Sequence, residues 1–389
     1  MRWLIAVAGA VWIAVIVWDA FEALVLPRRV TRRLRPSRGF YRLTWAVWST
    51  IARRLAPGGR RETYLSFYGP LSVLLLLGAW AVSLIVAFAL VQWGLGAPLS
   101  APEGGTFLEY VYLSGETFFT LGLGDIAPTS RVGRAVMVGE AGLGFGFLAL
   151  VIGYVPVLYQ AFSRREIEIT LLDARAGSPP RAEALLRSYA GEDLDELEEL
   201  LDDWERWAAE TLESHLSYPV LSFFRSQHDN QSWLAALTTI LDTSALVMVG
   251  VEGACARQAE FTFAMARHAV VDLAQVLRRR PRPAARDRLP REELRRLRVA
   301  LAAGAVLLDD SDAAADKLAE LRRMYEPYVI ALADYLVMPL PEWRAAGGDH
   351  HNWRASAWRD SRWSGGASDA PTWRSPRSAS AAARSATRP

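Results

Sequence analysis

Apolar residues concentrate in three long runs within the first 160 positions. The runs cover residues 3–26, 71–93 and 132–159. A helix needs roughly 20 residues to cross the hydrocarbon core of a bilayer, so each run is long enough to span a membrane. The first run is too long for a signal peptide and no small-residue cleavage site follows it. The pattern therefore predicts three membrane-spanning helices, the first of them a retained anchor.

The pattern of hydrophobic positions changes after the third run. Residues 163–340 are charged, rich in Leu and Ala and poor in β-branched runs, which predicts an all-helical cytoplasmic part. One more apolar stretch, residues 233–250, contains several Thr and Ser and also Asp242, and it has no positive-inside partner. We interpret it as a buried central helix and not as a fourth span. From residue 343 onward the chain lacks clustered aliphatic residues, which predicts disorder.

The distribution of arginine predicts the orientation in the membrane. Eleven arginines and no acidic residue lie from Arg28 to Arg61, whereas residues 62–130 contain no Lys or Arg. The positive-inside rule then places this first loop in the cytoplasm and residues 94–130 outside. We expect a multi-pass protein of the plasma (inner) membrane with its N-terminus outside and its long C-terminal part in the cytoplasm.

The arginine-rich loop contains an amphipathic segment over residues 40–55. Tyr41, Trp45, Trp48 and Ile51 recur at spacings of three and four, with arginines elsewhere on the wheel. This pattern fits a helix that lies on anionic lipid along Arg28 to Arg61. It fits equally a soluble helix packed on the cytoplasmic part. The two interpretations stay open at the level of sequence.

Two further charge runs lie in the C-terminal part. Residues 192–213 hold eleven acidic residues and one arginine, with Leu at helical spacing, and residues 278–298 hold ten arginines. The basic run suits the acidic helix of its own or a neighbouring subunit, anionic lipid, or simple solvation. Nucleic acid is not expected, because no nucleic-acid-binding fold signature accompanies the arginines. The gating stimulus and any cytoplasmic ligand are not indicated.

The most informative string is TFFTLGLGD at residues 117–125. Gly122 and Gly124 alternate with leucines behind Thr120, so the backbone can take φ angles of alternating sign. Such a strand turns successive carbonyls toward one axis, where four chains can replace the hydration shell of a cation.

This string resembles the selectivity filter of potassium channels, written TxxTxGYGD with a proline three residues later, here Pro128. Residues 116–153 are similar, without a gap, to the pore of simple bacterial two-transmembrane channels. The resemblance implies an all-α membrane protein that assembles as a homotetramer around a potassium-channel-like pore of outer helix, pore helix, filter and inner helix. Potassium is then the permeant ion, and no cofactor is expected. Filter residues implied are Thr120, Leu121, Gly122, Leu123, Gly124 and Asp125, with potassium on the carbonyls of the first four.

The resemblance also assigns roles around the filter. Glu116 lies nine residues before Asp125, the spacing at which the family holds a pore-helix carboxyl against the filter aspartate. Gly144 matches the gating-hinge glycine of the inner helix, whereas we expect Gly142 and Gly146 to serve packing. The residues expected to line the cavity are Phe145, Leu148 and Ile152.

Glu140 is an ionisable residue in the middle of the third run, and such residues are costly in a membrane. It either bonds to the pore helix behind the filter or faces the permeation path. We favour the first, because it lies five residues before Phe145 and points away from it on a helical wheel.

Leu123 departs from the family, which usually has Tyr or Phe at that position. Leucine lacks the aromatic ring that packs against the pore helix, so potassium selectivity could be relaxed. Three functions stay open: a potassium-selective channel, a weakly selective cation channel, and a non-conducting anchor for a helical interaction part. An enzyme is not expected, because no nucleophile, metal or cofactor constellation is present. The polar residues with the best claim to a metal show no ligand spacing and fit structural roles instead: His215, His228, Asp229 and Asp242.

Together these patterns predict five segments. They are an N-terminal transmembrane helix (1–27), an arginine-rich loop with an interfacial helix (28–67), an ion channel pore domain (68–162), a helical cytoplasmic domain (163–342) and a disordered tail (343–389).

Overall fold

The computed structural model describes residues 2–26, 35–100, 105–189, 194–228, 230–250, 254–304 and 306–344. These residues form twelve α-helices and a short 3-10 helix, and no β-strand occurs among them. The prediction of an all-α membrane protein is confirmed. The helices are α1 (Arg2–Leu24), α2 (Pro36–Arg54), α3 (Gly59–Ser66), α4 (Tyr68–Leu95), α5 (Phe107–Phe118), α6 (Arg131–Ala176), α7 (Ala182–Ser188), α8 (Leu194–Ser217), the 3-10 helix (Pro219–Phe223), α9 (Trp233–Gly250), α10 (Ala254–Val276), α11 (Arg291–Ala303) and α12 (Asp312–Leu336).

Four of these helical segments are long and apolar enough to cross a membrane, counting α3 and α4 together: α1, α3–α4, α6 and α9. Their surroundings separate them. The apolar window of α9 is 83% buried inside the chain, by helices α8, α10 and α12, whereas that of α6 is only 11% buried. An apolar surface already covered by protein has no need of lipid, so the structure is that expected for a buried central helix.

Helix α6 is longer than its apolar run. It continues without a break from Arg131 to Ala176, about five turns past the predicted end of the span. The extension is amphipathic, and Phe162, Ile169 and Leu172 on its inner face are buried. One rigid element therefore joins the membrane part to the C-terminal helical part, by which we mean residues 163–344.

Helices α1 and α4 pack closely side by side. A Cβ added at Gly94 would lie 2.5 Å from the Ala6 backbone nitrogen, and one added at Gly9 would lie 2.8 Å from the Ala87 carbonyl oxygen. Small residues thus let the two backbones approach, as is common for helices in lipid. The first helix is in this way fixed to the second.

Acidic groups at the end of α1 hold the start of α2. The buried Asp19 carboxylate accepts hydrogen bonds of 2.9 Å from both the backbone N–H and the hydroxyl of Ser37, and one of 3.1 Å from Trp80 Nε1. Arg35 Nε lies 3.7 Å from Asp19 and 3.3 Å from Glu22. Asp19 thus supplies the side-chain cap for α2 that its own N-cap residue, Arg35, does not provide.

Helix α2 has two different faces. On one face Trp45 is buried in the core of the helical part, and its Nε1 donates to the Tyr335 carbonyl at 3.0 Å. The other face carries an apolar stripe that is exposed in the part of the chain that the structure describes: Leu43, Val47, Ile51 and Leu55. The structure therefore contains the contact with the helical part that one of the two sequence interpretations requires, and it leaves the opposite face free.

Candidate ion-conducting site

The candidate filter, residues 120–125, has a backbone of alternating handedness. Thr120, Gly122 and Gly124 have φ angles of 55°, 63° and 75°, whereas the leucines between them do not have positive φ. A Cβ added at Gly122 would meet no atom within 4 Å. Glycine is therefore favoured here by the backbone angle and not by lack of space. Thr120 adopts this angle in spite of its side chain, at a cost of roughly 1–2 kcal/mol.

The candidate filter is attached to the end of helix α5. The Leu121 N–H donates to the Glu116 carbonyl at 2.8 Å, and the Thr120 N–H donates to the Thr117 carbonyl at 3.1 Å. At its other end α5 begins with a capping box between Thr106 and Glu109. The helix thus points its C-terminal end, the negative end of its dipole, toward the start of the candidate filter.

The outer side of the candidate filter is tied to the chain that leaves α4. The Ser100 N–H donates to the Ala127 carbonyl and the Thr129 N–H to the Pro98 carbonyl, each at 2.9 Å. Gly133 lies against this clamp, since a Cβ there would come within 2.8 Å of Pro128 Cβ. The two ends of the pore loop are therefore held together by backbone pairing.

Asp125 and Glu116 lie near each other, and the bridge between their carboxyl groups stays a prediction. Tyr112 donates its hydroxyl to Asp125, with distances of 3.1 and 3.3 Å to the two carboxylate oxygens. The Glu116 side chain is buried, and the Asp125 side chain and the Gly124 backbone are the groups near enough to interact with its carboxyl. The Tyr112 contact was missed from the sequence, although Tyr112 stands one helical turn before Glu116.

Glu140 lies on the pore-helix side of α6. Its side chain is fully buried and hydrogen-bonded to Ser114 Oγ, which itself lies 2.8 Å from the Ile85 carbonyl. Gln92 of α4 is buried in the same layer. Ser114 and Gln92 were not singled out from the sequence, since single polar residues in apolar helices carry no pattern.

The glycines of α6 differ from their predicted assignment. A Cβ at Gly144 would lie 2.1 Å from the Phe118 carbonyl oxygen, whereas one at Gly142 or Gly146 would meet no atom within 4 Å. Within one chain it is therefore Gly144 that allows close packing, and the assignment of packing to its two neighbours is wrong at this level. Helix α6 passes through Gly144 without a break, so its role as a hinge stays a prediction.

The predicted cavity residues lie on an exposed side of α6, whereas Glu140 is buried. Phe145, Leu148 and Ile152 are 68%, 54% and 66% exposed, and Leu121 and Leu123 of the candidate filter are each 63% exposed. Large apolar side chains are rarely left open as a continuous surface unless something else covers them. This surface includes the residues that the sequence assigns to a conduction path.

A buried cluster of hydrogen bonds and one ion pair, which we call the node at Arg165, joins the C-terminal end of α6 to α8 and the 3-10 helix. Arg165 is buried on α6 and donates to the carbonyls of Leu221 and Phe224, each at 3.0 Å. It also binds Glu166, with Nη2 at 2.8 Å from the carboxylate, and lies 3.2 Å from His215 Nε2. Four different partners fix this guanidinium.

His215 completes the node as a neutral imidazole. Its Nδ1 donates to the Thr211 carbonyl at 2.7 Å, which leaves Nε2 to accept from Arg165. Burial and the Arg165 charge lower the pKa of His215 to about 3. The sequence contains a signal for this node, because Arg165 occupies the same buried phase of α6 as Phe162 and Ile169 whereas Arg164 does not.

The described ion pairs of the arginine run go to α9, α11 and α12. Arg288 binds Asp242 of α9 at 2.7 Å, and Arg291 binds Asp316 of α12 at 3.0 Å. The other ion pairs of this run lie within α11 or join the run to α12, and Glu293 also contacts Arg344. The acidic face of α8 pairs mainly with its own Arg206. The pairing of the arginine run with an acidic helix, of the same or a neighbouring subunit, stays a prediction.

No cluster of three or more metal-ligating side chains is present in the part of the chain that the structure describes. His215 and Asp242 have different hydrogen-bond partners: His215 contacts Arg165, and Asp242 accepts from Arg288 and Tyr325. Asp229, residues 27–34 of the arginine-rich loop and residues 345–389 of the predicted tail lie outside the described residues.

Comparison with known proteins supports this assignment of the membrane part. A family model described as "Ion channel" matches residues 71–160, which contain most of α4, all of α5, the candidate filter and the first two thirds of α6. The match supports an ion channel in a multi-pass membrane protein and points away from an enzyme.

One relative is the "Uncharacterized membrane protein YdjJ" of Bacillus subtilis (strain 168), which is 22% identical over 197 residues. The matched region is 50% of this chain and 57% of the relative, so the chain spans little more than half of that protein. No solved structure matches the chain.

Proposed function

We propose that four copies of this chain form a potassium-selective channel in the plasma membrane. Each copy contributes one candidate filter, and the carbonyls of Thr120, Leu121, Gly122 and Leu123 bind the dehydrated ion. The cavity below is lined by Phe145, Leu148 and Ile152, and the gate lies on α6. The C-terminal helical part faces the cytoplasm.

The observation that carries this proposal is the alternation of φ along the candidate filter. Positive φ at residues 120, 122 and 124 directs consecutive carbonyls to one side of the strand. A single chain leaves that side open to solvent, where water would compete for any cation. Four strands around one axis enclose the ion instead and replace its hydration shell.

The residues behind the candidate filter support it from two helices. Glu140 holds the pore helix through Ser114, while Tyr112 holds Asp125 at the outer end. We infer that the buried Glu116 carboxyl bonds to Asp125 behind the candidate filter when the assembled filter takes its conducting shape. A buried carboxyl is costly unless it is hydrogen-bonded, so such a contact stabilises the site.

The second face of α2 suits the membrane surface. Its free stripe of Leu43, Val47 and Ile51 lies beside Arg42 and Arg54, and Asp19 fixes the start of α2 at the end of the first spanning helix. We infer that α2 lies between the helical part and anionic lipid of the inner leaflet. In protein reconstituted into vesicles containing phosphatidylserine, Leu43→Glu should increase amide hydrogen exchange along α2, and Leu307→Glu, an exposed site in the helical part, should not.

The test is the reversal potential of the purified protein in a planar bilayer with potassium on one side and sodium on the other. We expect a value near the potassium limit. A current that reverses near zero would instead support a weakly selective cation channel, and Leu123→Tyr should then restore a potassium preference. Absence of current in wild-type protein, together with unchanged cellular function of Gly122→Ala, would support the non-conducting anchor and contradict the proposal.

A further inference from the structure

Three fully buried polar side chains from three different helices form one layer behind the candidate filter. Gln92 lies in the last turn of α4, Ser114 in the second half of α5, and Glu140 in the apolar part of α6. Polar groups buried within a membrane are costly unless they bond to one another. Each of these three groups therefore needs a partner within the layer.

The Ser114 hydroxyl lies between two oxygen atoms. Its Oγ is 2.8 Å from the Ile85 carbonyl oxygen on one side, and it is hydrogen-bonded to Glu140 Oε1 on the other. Both contacts lie within hydrogen-bond distance, and each hydrogen bond between two oxygen atoms requires a hydrogen between them. The row that runs from the Ile85 carbonyl through Ser114 to Glu140 therefore contains two hydrogens.

Only one of these two hydrogens belongs to Ser114. A serine hydroxyl has a single O–H donor, and the Ile85 carbonyl oxygen is only an acceptor. An ionised carboxylate is also only an acceptor, whereas a protonated carboxyl group has one O–H donor. The second hydrogen therefore belongs to Glu140.

The surroundings of Glu140 also favour an uncharged carboxyl group. A buried carboxylate needs a basic partner, but residues 62–130, which include α4 and α5, contain no Lys or Arg. On α6 the nearest preceding arginine is Arg134, whose Nε donates to the Pro128 carbonyl at 3.1 Å. The side chains that interact with the Glu140 carboxyl are those of Ser114 and Gln92, which are both neutral.

We propose that Glu140 is a neutral carboxylic acid that donates into a directed chain of hydrogen bonds. Its O–H donates to Ser114 Oγ, and the Ser114 O–H donates in turn to the Ile85 carbonyl. The Gln92 amide has two N–H donors, and one of them donates to the second oxygen of the Glu140 carboxyl group. The chain joins α4, α5 and α6, and it needs the proton of Glu140 to be complete.

Glu140 is thereby a positioning residue for the candidate filter. Ser114 lies about one turn before the C-terminal end of α5, and the candidate filter begins at Thr120, directly after that helix. A shift of α5 relative to α4 and α6 therefore displaces the filter carbonyls. This consequence for conduction rests on the proposed function, whereas the protonation of Glu140 does not.

The first test is infrared difference spectroscopy of full-length protein reconstituted in liposomes, comparing the wild type with Glu140→Gln at pH 7. The carbonyl stretch of a protonated carboxylic acid is resolved from the stretches of a carboxylate, and an exposed glutamate is ionised at this pH. We expect Glu140→Gln to lack one protonated-acid band. The matched control is Glu213→Gln at an exposed position of α8, which should lack a carboxylate band instead. Loss of a carboxylate band in Glu140→Gln would overturn the proposal.

The second test is potassium flux into liposomes. Glu140→Gln keeps an N–H for Ser114 and a carbonyl for Gln92, so it should conduct as the wild type does. Glu140→Leu keeps a similar volume but removes both hydrogen bonds, and it should lose flux by about tenfold or more. Ser114→Ala interrupts the same chain with a smaller change and should also lose flux, which covers the case in which leucine disturbs folding.

Two flux results would contradict the positioning role. Flux in Glu140→Gln as low as in Glu140→Leu would show that the charge of a carboxylate is required. Flux at the wild-type level in both Glu140→Leu and Ser114→Ala would show that the chain does not position the candidate filter. If the wild type itself carries no potassium, the channel proposal fails, and the infrared spectrum still decides whether Glu140 is protonated.

Discussion

The membrane part and the C-terminal helical part differ in how far one chain satisfies its own residues. In the helical part, helix α9 is enclosed by its neighbours and Asp242 is bound by Arg288 and Tyr325. In the membrane part, Leu121, Phe145 and Ile152 are exposed. The helical part buries its apolar residues within one chain, whereas under the proposed function further copies of the chain complete the pore surfaces.

This difference predicts where a single substitution has the largest effect. Gly122→Ala adds a methyl group at a φ of 63° in each copy of the candidate filter, where an L-residue is strained. We expect potassium flux into liposomes to fall to background while the protein still folds and assembles. The control is Gly139→Ala, a helical position where the added methyl group meets no atom within 4 Å.

Flux in Gly122→Ala comparable to that of Gly139→Ala would show that ions do not pass along these carbonyls. That result would contradict the difference drawn above between the two parts, because the exposed surface of the membrane part would then need an explanation other than ion conduction.

The contact between α6 and the pore helix gives the next largest effect. In Gly144→Ala the added Cβ would lie 2.1 Å from the Phe118 carbonyl oxygen, so the two helices must separate. We expect at least a tenfold loss of flux, because 1.4 kcal/mol of strain already corresponds to a factor of ten and overpacking commonly costs about 1–3 kcal/mol. Gly146→Ala, two residues later and open, should conduct as wild type does. Equal flux in the two variants would contradict the packing role.

The node at Arg165 sharpens the comparison from the side of the helical part. Arg165→Ala leaves the carbonyls of Leu221 and Phe224 and the Glu166 carboxylate without their donor. Removing one partner of a buried ion pair costs about 3–5 kcal/mol, so the thermal midpoint should fall clearly. The adjacent exposed Arg164→Ala is the matched control and should melt as wild type does.

The smallest expected effect is on the pH dependence of stability. The pKa of His215 is lowered to about 3 in the folded protein, against 6.5 for an ordinary histidine. As the pH falls below 6.5 the unfolded chain takes up this proton and the folded chain does not, so the free energy of unfolding decreases until about pH 3. The slope from this one group is at most about 1.4 kcal/mol per pH unit.

His215→Gln keeps an acceptor for Arg165 and removes the titration. Its unfolding free energy, measured by denaturant titration between pH 7 and pH 4, should therefore vary less with pH than that of the wild type. Parallel pH profiles for the two proteins would show that His215 is not the buried neutral group described above. The limits of the titration, pH 7 and pH 4, lie on either side of the ordinary pKa of histidine.

The parts of the structure that were predictable depend on continuous local patterns. The spanning helices and the pore loop follow from apolar run length and from the glycine spacing at residues 122 and 124. The Arg165 node depends on helical phase across a helix longer than its apolar run, and the Asp19 contact with Ser37 depends on two helices meeting. Such contacts join residues distant in sequence, and single positions such as Ser114 carry no periodicity.

The assignment of glycines shows the same limit. Gly142, Gly144 and Gly146 look alike in sequence, but only one of them faces the pore helix, because α6 turns about 100° per residue. The face of α6 that contacts α5 depends on the direction in which α5 approaches, and the sequence of α6 alone does not determine that direction.

The most direct test of the central claim, that four chains complete the pore, is native mass spectrometry of the purified full-length protein released from detergent micelles. The account predicts one main species with four times the 43.1 kDa mass of the chain. Gly122→Ala should give the same species, because its defect lies in conduction and not in assembly. A protein that is monomeric or dimeric under conditions where it conducts ions would contradict the account.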